Sequence, residues 1–133
     1  MKTGLKLQLT MQVQVNRMKV LVFEDSFDIE AMLISGGVDL SNIELKQLWT
    51  TEDYLNQIKS NSPEILLLDH FIPPTKGLEV LQQLNVAVAS GDLARPSIIV
   101  GMSSASMANE RMLQFGADYG VIKFDLPKLP IWD

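Results

Sequence analysis

Ile65-Leu66-Leu67-Leu68 is apolar at every position and stops at Asp69, and no other feature narrows the fold more. A run that is apolar on both sides suits a strand covered on both faces, the condition of a strand inside a parallel sheet. Lys19-Val20-Leu21-Val22-Phe23 follows the same pattern and stops at Glu24-Asp25. Residues 97–102 form a third run, ending at Ser103-Ser104, and residues 119–122 a fourth, ending at Lys123.

Between these runs the apolar residues recur at helical spacing. Ile29, Met32 and Leu33 precede Ser35-Gly36-Gly37, which reads as a helix stop. Residues 43–49 alternate and predict a strand; Thr51 then reads as an N-cap, with Glu52 and Asp53 suited to the helix dipole and Leu55 and Ile58 facing inward. Leu81, Leu84 and Val88 follow Gly77, and Ala108, Met112 and Phe115 precede Gly116. From Met18 onward this is the rhythm of a βα chain.

The two ends depart from it. Leu5, Leu7, Leu9, Met11, Val13 and Val15 alternate strictly with polar residues, so residues 1–17 read as an N-terminal extension containing an amphipathic strand, ahead of one domain over 18–133. Near the other end, Phe124-Asp125-Leu126-Pro127-Lys128-Leu129-Pro130 holds two prolines, which argues against a full helix.

At 133 residues, 47% hydrophobic and 20% charged, the chain has the composition of one globular domain. The net charge is −5 and the 11 Lys and Arg residues are scattered, so no stripe exists to track a nucleic-acid backbone. The absence of cysteine excludes disulfides and thiolate metal sites, and one histidine, His70, cannot build a multi-histidine centre. No apolar run approaches the ~20 residues of a membrane helix, and the interleaved start lacks a signal-peptide core. A cytoplasmic protein is expected.

The polar residues that close the apolar runs carry the functional signal. In an open parallel sheet, ligands bind beyond the carboxyl ends of the strands. If these strands are neighbours, Glu24, Asp25 and Asp69, the Ser103 hydroxyl and the Lys123 ammonium converge there. Three close carboxylates repel one another, and a hard divalent cation such as magnesium relieves that repulsion. The hydroxyl and ammonium would hold the other oxygens of a transferred phosphoryl group. Taken singly, each residue has a plainer role: a helix cap for Glu24, Asp25 or Ser103, a turn for Asp69, a solvated strand end for Lys123. All of them together, at four strand ends, fit that account poorly.

From Met18 to Asp125 the sequence resembles the receiver domain of two-component response regulators. Phe23-Glu24-Asp25 is similar to that family's acidic pair, and Asp69-His70-Phe71-Ile72-Pro73-Pro74-Thr75-Lys76-Gly77 to its phosphoacceptor loop. Met102-Ser103-Ser104 matches its hydroxyl position, and Gly116-Ala117-Asp118 leads into Lys123 at the family's distance. The resemblance implies a doubly wound, flavodoxin-like sheet of five parallel strands in the order 2-1-3-4-5. It implies that Asp69 takes phosphate from a sensor histidine kinase, a phosphotransfer protein or a small phosphodonor. Magnesium would be held by Glu24, Asp25, Asp69 and the backbone carbonyl of Phe71, and Ser103 and Lys123 would grip the phosphoryl oxygens. Such a protein is a signalling phosphoacceptor rather than an enzyme. Standing alone, it would act through a downstream protein target or a homodimer.

Four departures bear on that expectation. Phe124 stands where the family has proline, and the family's switch aromatic falls on Gly120, with Tyr119 one place away as the partner expected for Ser103. The last helix is short or missing, which would uncover an apolar patch for the N-terminal strand to cover. Phe71 and Ala105, at the positions that tune phosphate hydrolysis in the family, cannot orient a water, which implies a long-lived acyl phosphate. The main rival is a non-phosphorylated interaction or dimerisation module on the same fold. A hydrolase reading of Gly101-Met102-Ser103-Ser104-Ala105 lacks the final glycine and has its histidine on the wrong side of the serine.

Overall fold

A computed structural model describes residues 17–133. Five strands alternate with four helices: β1 (Met18–Phe23), α1 (Ile29–Ser35), β2 (Ile43–Leu48), α2 (Tyr54–Asn61), β3 (Ile65–Leu68), α3 (Gly77–Ala89), β4 (Ile98–Gly101), α4 (Ser106–Gln114) and β5 (Tyr119–Gly120). They form one parallel sheet in the order β2-β1-β3-β4-β5, as expected. The chain reverses direction across the sheet between β1 and β3, where such folds bind ligands. The proposed strand in the N-terminal extension lies outside the described residues.

Strand parity divides the core in two. Leu21, Phe23, Leu66, Leu68 and Ile99 point to the side covered by α2, α3 and α4, where Ile58, Leu81, Leu84 and Met112 meet them. Val20, Val22, Ile65, Leu67, Val100 and Met102 point to the side covered by α1 through Ile29 and Leu33. All four β3 residues are buried, which is why that segment carries no polar residue.

Beyond β5 the chain forms two short 3-10 turns, Lys123–Lys128 and Pro130–Trp132, and no final α-helix. The expected apolar gap is nevertheless closed. Leu126 is fully buried beside α1, and Leu129, Ile131 and Trp132 pack on the same cluster. The Trp132 indole N–H donates to the Leu126 carbonyl at 2.9 Å, which folds the tail back on itself. Pro127 rests against Gly36 so closely that a Cβ there would overlap its ring. Among the described residues, bulky side chains of the proline-interrupted tail fill this space; the cover expected of the N-terminal strand lies outside them.

Two local expectations also change. The N-cap of α2 is Asp53, in a left-handed conformation, and not Thr51. The last strand is shorter than 119–122, because its neighbour β4 ends at Gly101. If the tail closes the α1 side of the core, Leu126→Ala should cost about 2–5 kcal/mol. Urea unfolding of the variant beside the parent measures this directly.

Candidate functional site

Glu24, Asp25, Asp69 and Ser103 sit just past the ends of β1, β3 and β4, and Lys123 follows the edge strand β5. Glu24 follows β1 and is fully buried; its Oε2 accepts the backbone N–H groups of Ser26 (2.7 Å) and Phe27 (3.1 Å), which fixes the carboxylate in the turn. The cap of α1 is supplied instead by Asp28, whose Oδ1 accepts from Ala31 N–H. Gln47 on β2 holds this turn to the sheet. Its Nε2 donates to the carbonyls of Glu24 and Phe27, and its Oε1 accepts from Ile29 N–H at 2.9 Å.

Asp69 follows β3, 3% exposed, with its own N–H bonded to the Phe23 carbonyl. The loop after it is fixed by Thr51, whose hydroxyl donates to the Thr75 carbonyl and accepts from Thr75 N–H, both at 2.7 Å. Thr51 N–H also reaches the Pro73 carbonyl. Gly77 closes the loop, and only glycine fits there, since a Cβ would collide with the Asp69 carbonyl. His70 is half-buried rather than a surface residue. Its Nδ1 accepts from Leu78 N–H at the start of α3, and burial, reinforced by the charge of Lys76, holds its pKa below the ordinary value.

Glu24, Asp25 and Asp69 each present an oxygen within 4.8 Å of the others. Lys123 enters from the turn after β5, its Nζ 2.7 Å from Glu24 Oε1 and 3.8 Å from Asp69 Oδ1. That ion pair is the only partner of Glu24 Oε1 among the described residues, so the buried oxygen keeps acceptor capacity for a further ligand. One ammonium against three carboxylates also leaves two negative charges unbalanced. A buried carboxylate oxygen with spare acceptor capacity and a deficit of two charges fit a hard divalent cation such as magnesium. The exposed Phe71 has its ring edge-on to His70 at 4.7 Å.

Ser103, past β4, is fully buried, and its Oγ accepts from Ala105 N–H at 3.1 Å. Tyr119 is not brought to it. Paired with Val100, Tyr119 packs into the α1-side cluster, whereas Gly101 and Gly120 lie against α4. A Cβ at Gly120 would come within 3.0–3.1 Å of Leu113 and the Asn109 carbonyl oxygen, so α4 occupies the space an aromatic side chain would need. The Phe124 ring meets Phe27 edge-on at 5.4 Å, and Lys123 Nζ lies 5.1 Å from the Phe27 ring centre. Gln47, Thr51 and Asn109, which hold the loops of the site, are not apparent in the sequence.

Burial is the main cause that pushes the Asp69 pKa above its ordinary value; Lys123 opposes the shift, Glu24 adds to it, the His70 N–H opposes it and Asp25 adds a little. A carboxyl whose folded pKa is raised stabilises the fold below its unfolded pKa and loses that contribution as pH rises through the folded value. Asp69→Asn should therefore melt at a higher temperature than the parent at pH 7. The difference should shrink towards zero as pH falls below the ordinary aspartate value of 3.8, which melting curves across that range would show.

No family model matches the chain. Solved structures do. The phosphorylated cyanobacterial phytochrome response regulator RcpA is similar at a TM-score of 0.66 and 16% identity, over 84% of this chain and 89% of that one. The beryllofluoride-activated receiver domain of DrrB from Thermotoga maritima is similar at 0.62 and 20%, over 84% and 89%. A CheY-like receiver domain from Methylobacillus flagellatus is similar at 0.62 and 17%, over 80% and 86%. With five parallel strands in the order 2-1-3-4-5 and the acidic cluster at their carboxyl ends, the chain has the fold of response-regulator receiver domains.

Proposed function

We propose that the protein is a phosphoacceptor of two-component signalling, with Asp69 as the residue modified and a histidine kinase, a phosphotransfer protein or a small phosphodonor as the source. The observation that carries the reading is the buried cluster in which one ammonium, Lys123, faces the carboxylates of Glu24, Asp25 and Asp69, two charges short of balance. A structural role does not call for that imbalance, because burying unbalanced charge costs stability.

In the transfer, an Asp69 carboxylate oxygen forms a bond to phosphorus while the bond from phosphorus to the donor nitrogen or oxygen breaks, and the donor leaves with the electron pair and takes a proton. Lys123, 3.8 Å from Asp69 Oδ1, would pair with a phosphoryl oxygen, and the Ser103 hydroxyl, which accepts from Ala105 N–H, would donate its proton to another. A magnesium ion held by Glu24, Asp25, Asp69 and the Phe71 carbonyl would neutralise charge on the phosphoryl oxygens. Added negative charge would then alter which protein the site's surface binds. Trp49, Phe27, Phe71 and Phe124 expose large apolar side chains on loops at this same end of the sheet, which suits a protein partner.

Incubation with magnesium and acetyl phosphate or phosphoramidate, followed by intact mass measurement, tests this. The parent should gain one phosphate (~80 Da) and Asp69→Asn none. With Phe71 exposed and Ala105 apolar, neither placed to activate a water, the modified form should persist well beyond seconds. No gain with either donor would favour the unphosphorylated interaction module, to which the displaced Tyr119 already lends some support.

A further inference from the structure

Asn109 is a buried amide on α4 whose three side-chain hydrogen bonds all leave its own helix. Its Oδ1 accepts from Ser103 N–H, and its Nδ2 donates to the carbonyls of Ser103 and Val121, each at 2.8 Å. Ser103 carries the hydroxyl of the proposed phosphoryl site, and Val121 lies two residues before Lys123. The β4–β5 ladder is thin at this end: β5 has two residues, and the last sheet bond runs from Val121 N–H to the Gly101 carbonyl. Beyond it the Asn109 amide takes the place of a peptide group, adding one more rung between the two strand ends.

Among the described residues, neither position of β5 offers a side chain to Ser103. Gly120 has no side chain, and the space beside it is filled by Leu113 and the Asn109 backbone, while Tyr119 faces the far side of the sheet. We propose that Asn109 is the positioning residue of the phosphoryl site, setting Ser103 and the Lys123 segment in register and tying both to α4. It acts through Ser103 and Lys123 and touches no carboxylate of the acidic cluster. Only an amide serves: Ser103 N–H needs an acceptor and the two carbonyls need a donor, so an isosteric carboxylate keeps the first bond and turns the other two into repulsions.

Asn109→Asp, with the smaller uncharged Asn109→Ser as a second variant in case the first does not fold, separates positioning from packing. Ile58→Ala serves as the control, since Ile58 is a buried core residue near the C-terminal end of α2 and makes no hydrogen bond to the site. Initial rates of phosphorylation by acetyl phosphate should fall at least about ten-fold in the Asn109 variants, the scale of misplacing a reacting group. Their magnesium affinity should stay within about two-fold, because the carboxylates are untouched, and the Ser103 amide should exchange faster. Ile58→Ala should melt lower yet phosphorylate at the parental rate per folded molecule. Asn109 variants that phosphorylate like the parent, or an Ile58→Ala loss equal to theirs, would overturn the inference. It rests on the phosphoacceptor reading: a parent that takes up no phosphate defeats both, whereas a phosphorylated parent matched by its Asn109 variants defeats this one alone.

Discussion

Three carboxylates cannot share the end of an apolar sheet without positive charge among them, and the ion pair of Lys123 with Glu24 at 2.7 Å is what the described structure supplies. Both partners are buried, so each would be costly without the other. The constraint reaches outward from there. Lys123 reaches Glu24 from the turn that follows β5, a strand only two residues long. That turn carries Leu126 onto the α1 side of the core, and the tail that follows completes the cover a longer helix would otherwise provide.

The site is held by side chains that replace backbone pairing where the strands run out. Gln47 secures the turn after β1, Thr51 the loop after β3, and Asn109 the exits of β4 and β5. Each makes both donor and acceptor contacts to backbone groups, so each fixes orientation as well as position. The turns that carry the carboxylates are thereby bonded to β2 and to the loop that follows it.

The inner strands and the five charged or hydroxyl residues could be read from the sequence, because burial on both faces forces uninterrupted apolar runs and the polar residues mark where each run stops; the strand order came only with the resemblance to receiver domains. The helices at Ile29, Leu81 and Met112 followed from spacing for the same reason. What escaped depends on contacts between distant segments. Thr51 has the right residue type for a cap, yet its hydroxyl is taken by Thr75, 24 residues away. Gln47 and Asn109 look like ordinary polar positions on a strand and a helix, and nothing local distinguishes them. The tail's cover of the α1 side depends on Gly36 leaving room for Pro127, a pairing that no periodicity reveals.

The central claim, that the charge cluster is a cation and phosphoryl site rather than a relic of the fold, is tested most directly by titrating magnesium into isotope-labelled protein and following backbone amides by NMR. The account predicts saturable, one-to-one shifts centred on Glu24, Asp25, Asp69 and Phe71, extending to Lys123 and absent in Asp69→Asn. Shifts that do not saturate and spread evenly over the acidic surface would contradict it.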